Sequence, residues 1–333
     1  MRGARRFREQ KWLLDSVIST VGLDWDLLRM AVTVAPSGFE GLGDWGVIAS
    51  TVKRFDEISP GFRAGGERRE QRAKEAEDRG FESIWFPEHS HMPVDHSPAP
   101  SGGDVEKRYY DTLDLFVTMG AAVATTERIN VGSGVCLIPQ RHPINTAKAI
   151  ASLDQLSGGR ILFGVGAGWN RPEMENHGSD PVTRWKLMRE RIEAMKAIWT
   201  NSTTEYHGDF VDFDPLMQWP KPVQKPHPPI LLGNAGARAL ERTVRYADEW
   251  MPITGRIEDL SARLEELQGL AEAAGRDPIP FTAYGTAPNE EAIEQMANLG
   301  ATRCILNLPA AGADEVLPLL DKQAALVEQF ADA

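Results

Sequence analysis

From about residue 45 onward, the chain alternates short apolar runs, rich in β-branched residues, with longer stretches of helical periodicity. This alternation is typical of repeated βα units, which build a parallel sheet. The predicted strands are Trp45 to Thr51, Glu82 to Phe86, Ile129 to Leu137, Arg160 to Gly166, Pro229 to Gly233, Glu249 to Ile253, Pro280 to Gly285 and Arg303 to Leu308. The predicted helices are Glu67 to Asp78, Thr112 to Ala124, Pro143 to Leu156, Pro181 to Thr200, Ala235 to Ala247, Ile257 to Ala274, Glu290 to Asn298 and Asp314 to Phe330.

Eight strands and eight crossover helices favour closure into a barrel, because doubly wound open sheets usually contain fewer strands. The residues that typically begin and end helices agree with this count. Gly80 and Gly300 stand where helices end, and Pro143 and Pro181 stand where helices begin. The predicted fold is therefore α/β, a (β/α)₈ TIM barrel.

Three segments depart from the repeat. Residues 88–110 form a long loop after the second strand, and residues 201–228 contain a predicted hairpin, Thr204 to Phe213, followed by a proline-rich run. Both are read as small insertions, after strands 2 and 4. Residues 1–44 are predicted to be an extra N-terminal segment, helical or poorly ordered, that precedes a single barrel domain at 45–333.

Charge restricts the partners. The net charge of −12 disfavours binding to nucleic acid or to anionic membranes. Acidic residues interrupt the N-terminal apolar stretch, which disfavours an export signal, so a cytoplasmic protein with a small-molecule substrate is expected. The two cysteines, Cys136 and Cys304, lie in apolar runs, and we expect reduced, structural thiols.

The second predicted strand ends in Glu88-His89-Ser90-His91, at the end of a barrel where active sites lie. A histidine there serves as general acid or base, and a neighbouring carboxylate can orient it. The alternative is a loop histidine that only binds nearby backbone. A metal site at His89 and His91 would need further ligands, and the other strand ends lack them, so no metal is expected.

Glycines in the next strands leave two interpretations open. Gly132 and Gly134 indicate either a bulge that approaches a planar ligand or simple close packing. The spacing in Gly164 to Gly168 is a weak dinucleotide motif, because no helix start follows it, and that function is rejected. After the fifth strand, residues 233–238 lead into a helix, which suits either a phosphate site or a plain turn. Trp169, Trp185 and Trp250 line a pocket for an aromatic ligand or fill the core.

Three segments together resemble the luciferase-like monooxygenase family: Gly80 to His89, Leu153 to Arg160 and Gly164 to Trp169. The resemblance runs from about residue 45 to the end of the chain, and its closest subgroup is the F420-dependent oxidoreductases. It implies a barrel that holds the deazaflavin coenzyme F420 and that often pairs as a homodimer.

The resemblance also implies roles for individual residues. His89 would face the reactive edge of the deazaflavin, with Glu88 as its acidic neighbour, and both are predicted to be catalytic. Gly134 and Val135 match a bulge that typically contains a cis peptide bond beneath the central ring. The predicted cofactor-binding residues are Ser133, Gly134, Val135, Ala167, Gly168, Asn234, Ala235, Gly236 and Ala237, the last four around the phosphate.

Trp169 and Trp250 are predicted to line the substrate pocket. The sugar-phosphate dehydrogenase branch of the family has a glutamate where this chain has Trp169, so that substrate is not implied. The predicted function is hydride transfer between F420 and an organic substrate. The alternatives are an FMN-dependent monooxygenase that uses reduced flavin and oxygen, and a barrel that binds a ligand without turnover.

Overall fold

The computed structural model describes residues 69–99 and 105–330. The predicted extension, residues 1–44, and the predicted first strand, Trp45 to Thr51, lie outside the described residues. Within them, no helix combines the length and the apolarity needed to cross a lipid bilayer.

The strands are β1 (Ser83–Phe86), β2 (Asn130–Ser133), β3 (Cys136–Leu137), β4 (Ile161–Gly166), β5 (Thr204–His207), β6 (Asp212–Leu216), β7 (Ile230–Leu232), β8 (Glu249–Trp250), β9 (Thr282–Thr286) and β10 (Arg303–Leu306). The α-helices are α1 (Arg69–Asp78), α2 (Lys107–Tyr110), α3 (Leu115–Thr125), α4 (Pro143–Ser157), α5 (Arg171–Asn176), α6 (Arg184–Thr200), α7 (Ala239–Tyr246), α8 (Leu260–Ala273), α9 (Glu290–Asn298) and α10 (Ala313–Phe330). Short 3₁₀ turns occur at Ile138–Gln140 and Thr254–Arg256.

The main sheet is parallel and has the order β1-β2-β4-β7-β8, with β3 also paired to β4. Parallel bridges from Trp250 to Phe281 and from Ile253 to Tyr284 continue this order towards β9, which pairs with β10. The order follows the chain, as right-handed βα crossovers require. The TIM-barrel α/β fold is confirmed for the described strands, and the predicted hairpin is present as the antiparallel pair β5–β6.

An ionic network joins the last strand to the first described one. Arg303, at the start of β10, donates to Glu82 beside β1 from Nε and Nη2, at 3.1 and 3.0 Å. Its Nη1 also donates to Glu249 on β8, at 3.3 Å. On the outside, Arg79 of α1 bonds Asp321 of α10 at 2.7 Å. These contacts bring the two ends of the strand series together, as closure of a barrel requires.

Two apolar layers surround the strands. The outer layer packs the strands against α3, α4 and α6, with Phe163, Ile150 and Met195 fully buried in it. The inner layer fills the barrel with Leu162, Leu231, Met251 and Ile305, joined by Trp85, Val135 and Tyr284. Strands buried on both faces read as continuous apolar runs, which is why they are visible in the sequence.

Several predicted boundaries are wrong for local reasons. The helix expected from Pro181 begins at Arg184, because Pro181 to Thr183 form a turn in which Val182 donates to the Asp180 carboxylate at 2.8 Å. The helix expected from Ala235 begins at Ala239, after a turn at 236–238. The short helices α2 and α5 were not predicted, since four and six residues show no usable periodicity.

Both cysteines lie in strands. Cys136 on β3 is fully buried, Cys304 on β10 is partly buried, and both are free thiols. Burial raises the pKa of both thiols. High pKa values keep the thiols protonated and unreactive, in line with the structural role expected for them.

A buried carboxylate ties α1 to the start of β2. Oε2 of Glu77 accepts three backbone hydrogen bonds, from Glu127 at 2.9 Å, Arg128 at 2.6 Å and Ile129 at 3.0 Å. Burial opposes the charge, but the three donors outweigh it and lower the pKa of Glu77 to about 2. The ionised carboxylate therefore stabilises this corner of the fold.

Replacing Glu77 with glutamine is expected to lower the free energy of unfolding by about 2–3 kcal/mol at neutral pH. The stabilisation is fully present above the ordinary glutamate pKa, and it is lost as the pH falls from that value towards 2. Urea unfolding of both proteins between pH 7 and about pH 3 measures the difference, which should shrink with acid. The control Glu75→Gln, at an exposed pair with Arg79, should change stability by less than about 0.5 kcal/mol. A Glu77→Gln effect independent of pH would contradict this account.

Candidate active site

His89 follows β1 and is held by a carboxylate from a distant segment. Its Nδ1 lies 2.9 Å from Oε2 of Glu173, on α5, and the backbone N–H of Ser90 donates to Oε1 of Glu173 at 3.1 Å. Glu173 is completely buried, and the His89 side chain is 9% exposed. Because a carboxylate only accepts hydrogen bonds, Nδ1 carries the proton and Nε2 is the acceptor in the neutral ring.

Two aromatic rings flank His89. Tyr109, at the end of the loop after β1, lies with its ring centroid 5.5 Å from that of His89, and Trp169 lies 5.6 Å away. Tyr109 and Trp169 also contact each other, at 5.7 Å, and all three contacts are edge-to-face. The structure therefore brings predicted residues His89 and Trp169 together and adds Tyr109 and Glu173, which were not predicted.

Glu88 is bound to the segment that follows β3. Its Oε2 accepts the backbone N–H of Leu137 at 2.5 Å, and its Oε1 forms an ion pair with Arg141. Burial lowers the pKa of Arg141, but the Glu88 charge outweighs it and raises that pKa. Glu88 thus anchors the 3₁₀ turn after β3, and its catalytic role stays a prediction.

The bulge between β2 and β3 contains a cis peptide bond between Gly134 and Val135, as the resemblance implies. The Val135 side chain fills the space left by two glycines of neighbouring strands. A Cβ atom on Gly166 would lie 2.6 Å from Val135 Cγ2, and one on Gly233 would lie 2.6 Å from Cγ1. These contacts show that close packing requires both glycines.

Two further predicted cofactor contacts are buried. Ser133 is 0% exposed and its hydroxyl donates to the Gly164 carbonyl at 2.7 Å, while Ala167 is 3% exposed within the outer core layer. Gly164 itself leaves room for the Ser133 carbonyl, which a Cβ atom would overlap. The Ser133 hydroxyl is therefore already bound to the backbone of β4.

The turn after β7 presents polar groups at the same end of the strands. Asn234 Oδ1 accepts the Gly236 N–H at 2.9 Å, and Ala239 N–H donates to the Gly236 carbonyl at 2.9 Å. Among the described residues, the backbone N–H groups of Ala235 and Ala237 have no acceptor. The turn therefore offers free amide donors close to the start of α7.

Several buried side-chain amide atoms lack hydrogen-bond partners in the described part of the chain. Among them are Nδ2 of Asn234 and both amide atoms of Gln140, which ends the 3₁₀ turn after β3. The Gln140 amide lies near Gly168, whose φ of 79° is left-handed. Buried unpaired polar atoms in a native fold call for an explanation, and a polar ligand is one. The free amides of the turn and these unpaired side-chain amides thus fit a ligand that has a phosphate and a ring with polar atoms.

Trp250, a predicted substrate-pocket residue, lies in the core. Its ring is fully buried in an apolar cluster with Leu267, Phe281 and Met296. Its Nε1 donates to the backbone carbonyl of Asn234 at 2.7 Å. Trp250 thus supports the turn after β7 from beneath, whereas Trp169 is the tryptophan beside His89.

Comparison with known proteins finds a matching family model and several similar proteins. Residues 46–326 match the model of the family described as luciferase-like monooxygenase. An uncharacterized protein of Mycobacterium tuberculosis is 41% identical over 259 residues, which is 76% of this chain and 91% of that protein. The FMNH(2)-dependent dimethylsulfone monooxygenase of Pseudomonas putida is 32% identical over 158 residues, which is 46% of this chain and 43% of that protein.

Among solved structures, that of the coenzyme F420-dependent tetrahydromethanopterin reductase from Methanopyrus kandleri superposes with a TM-score of 0.61 at 19% identity. The superposition covers 79% of this chain and 94% of that chain.

Adding a methyl group at Gly166 is expected to destabilise the fold by about 1–3 kcal/mol, because it meets Val135. Shortening Val135 should relieve the clash, since the Val135 Cβ would lie 3.5 Å from the new atom. We therefore expect Gly166→Ala to cost less in a Val135→Ala background, which a double-mutant cycle of urea unfolding measures. The control Gly269→Ala, in α8 with nothing within 4 Å of the added Cβ, should not destabilise. Additive costs at 166 and 135 would contradict the packing.

Proposed function

Because the chain belongs to the luciferase-like monooxygenase family, whose members are oxidoreductases, we propose that it is an F420-dependent oxidoreductase. In this proposal a hydride passes between the deazaflavin and an organic substrate. When bound, the cofactor supplies the hydride chemistry, and the protein supplies orientation and proton transfer.

The observation that carries the proposal is the pair of His89 and buried Glu173, 2.9 Å apart, at the carboxyl end of the strands. Glu173 fixes the ring so that Nε2 is a proton acceptor. If the substrate is an alcohol, Nε2 takes the hydroxyl proton as the carbon gives up its hydride. In the reverse direction, the protonated ring returns that proton to the carbonyl oxygen.

The surroundings of His89 suit this chemistry. Tyr109 and Trp169 cover two sides of the imidazole, which limits access of water to Nε2. Trp169 lies directly after the Gly164 to Gly168 segment, so it would stand between the substrate and the end of β4. We assign Trp169 and Tyr109 to the substrate side of the site.

The remaining polar groups would hold the cofactor. The free amides of Ala235 and Ala237, with Asn234 and Gly236, would bind its phosphate near the start of α7. The Gly134-Val135 bulge and Gly168 would lie against the ring, with the unpaired amide of Gln140 beside Gly168. This assignment supports either F420 or FMN, since both join a tricyclic ring to a phosphate.

A second candidate function is that of an FMN-dependent monooxygenase. It is favoured by the Pseudomonas putida relative, which is named for FMNH(2) and is 32% identical over 158 residues. That enzyme type combines reduced flavin with oxygen, whereas a deazaflavin carries carbon at the hydride-bearing position and reacts poorly with oxygen. The two candidates therefore differ in the cofactor that the same site selects.

Titration of the purified protein with F420 and with FMN separates the two candidates. We expect saturable quenching of F420 fluorescence, with an affinity at least about tenfold higher than that for FMN. Oxygen consumption with reduced FMN should remain at the rate of the free flavin. Tight FMN binding together with no response to F420 would overturn the cofactor assignment.

Removal of the His89 ring tests catalysis. With F420 and a substrate that the protein turns over, His89→Ala is expected to lower kcat by about 10²–10⁴-fold, while F420 affinity stays within about threefold. His91→Ala is the matched control, because His91 lies in the same loop but bonds Ser90 and Asn176 rather than Glu173. An unchanged kcat for His89→Ala would contradict the assignment of proton transfer to His89.

Glu173 acts through His89 and is a positioning residue. Glu173→Gln is expected to lower kcat by about 10–100-fold with little change in KM, and Glu173→Asp should recover part of the loss. The pH profile of kcat should also change in Glu173→Gln, because the carboxylate no longer holds the ring in one tautomer. A parallel loss of kcat and thermal stability, with no change in the pH profile, would assign Glu173 a structural role only.

A further inference from the structure

Four arginines gather beside the candidate active site without any acidic partner in the described part of the chain. They are Arg171, at the start of α5, Arg184, at the start of α6, and Arg238 and Arg242, at and just after the turn that leads into α7. No ion pair joins any of them to a described carboxylate, although the chain as a whole carries a net charge of −12. We call these four residues the arginine cluster.

Geometry places these side chains together. The guanidinium carbon of Arg242 lies 4.0 Å from the centroid of the Trp185 ring, and that of Arg184 lies 5.8 Å from the same centroid. The charge of Arg171 acts on Arg184, and the charges of Arg238 and Arg184 act on Arg242, so that the cluster contains repulsion between like charges. Stacking on the indole face fixes the plane of Arg242 and leaves its N–H edges free to donate.

The arginine cluster lacks the carboxylate partners that several other arginines of the chain have. Elsewhere in the described residues, partly buried arginines meet carboxylates, as Arg141 meets Glu88 and Arg303 meets Glu82, or donate to backbone carbonyls, as Arg276 does. Within the described residues, Arg171, Arg238 and Arg242 make no side-chain hydrogen bond, and Arg184 donates from Nη1 to the Pro181 carbonyl while its Nε is buried without a partner. The charge of Glu241 acts on Arg242, but no ion pair joins the two.

The position links the arginine cluster to the active site. Arg171 lies two residues before Glu173, which holds His89, and Arg238 directly follows the turn whose amides are free. Both segments follow the carboxyl ends of parallel strands, β4 and β7, which pair with each other. The arginine cluster therefore lies on segments that follow the same two strands as parts of the candidate active site.

We propose that the arginine cluster is a binding site for a small organic anion that carries two or more carboxylate or phosphate groups. Burial lowers the pKa of Arg184 and Arg242, and neighbouring positive charges lower it further. A bound anion would offset the repulsion between these charges. Planar guanidinium groups bind carboxylate and phosphate oxygens in pairs, which favours a ligand with several oxyanions over a single charge. This inference does not depend on which cofactor the protein uses.

Isothermal titration of the purified full-length chain with tripolyphosphate, at low ionic strength, tests the site. The expected result is saturable binding that Arg242→Gln weakens by at least about tenfold, and that Arg242→Lys, which keeps the charge but loses the planar stack, weakens less. The matched control is Arg245→Gln, on the same helix, because Arg245 points towards Glu193 at 3.8 Å. It removes the same charge and should weaken binding by less than about twofold. Thermal melting of each variant verifies that it is folded.

Equal weakening by Arg242→Gln and Arg245→Gln would overturn the proposal, because it would reveal only a general charge effect. The absence of saturable binding to the folded wild type would also overturn it. The anion is either the far end of the cofactor or a free molecule, and the affinities of the variants for F420 and FMN distinguish these two sources. F420 carries carboxylates beyond its phosphate, whereas FMN ends at the phosphate. A loss of F420 affinity in Arg242→Gln without a loss for FMN identifies the far end of the cofactor. Unchanged affinity for both identifies a free anion, and either result supports the shared chemistry.

Discussion

The parallel direction of the strands is the constraint on which the candidate site depends. Parallel pairing sends the carboxyl ends of β1, β2, β4 and β7 to one end of the sheet. His89, the Val135 bulge, Trp169 and the turn at Asn234 each follow one of these ends, although up to about 145 residues separate them in the chain. The ionic network around Arg303 stabilises this arrangement at the opposite ends, where strands begin. The ionic network that stabilises the fold and the residues of the candidate site thus lie at opposite ends of the same strands.

Glycines determine how closely the strands and the bulge can pack at the end of the barrel where the candidate site lies. Gly164, Gly166 and Gly233 have no Cβ where Ser133 and Val135 approach, so the bulge after β2 lies tightly against β4 and β7. The Val135 side chain then belongs to the inner layer, which closes the barrel beneath the candidate site. Because the layer below is filled, the proposed ligand would lie above the bulge, beside His89 and the turn at 234–237.

The sequence predicts much of this fold because its strands are buried on both faces. The stretch Arg160 to Gly166 differs from β4 by one residue, and the predicted helix Glu290 to Asn298 is the observed α9. His89 and Trp169 were also predicted, since they directly follow strands. Glu88 was chosen as the acidic neighbour because it is next to His89 in the chain, whereas the carboxylate that bonds His89 is Glu173, 84 residues away. Glu173 lies in a short helix after Pro172, and no periodicity marks such a segment. Tyr109 lies on α2, near the end of the long segment that follows β1, and no local sequence pattern defines the path of that segment. Trp250 could be assigned to the core only from its contacts.

The proposed function depends on one arrangement, in which His89 and the turn at 234–237 hold opposite parts of a single cofactor. A crystal structure of the protein with bound F420 tests this claim most directly. The account predicts that the reactive edge of the deazaflavin lies within contact distance of the His89 ring and that the phosphate accepts hydrogen bonds from the amides of Ala235 and Ala237. A deazaflavin bound away from His89, or a phosphate bound at a different turn, would contradict it.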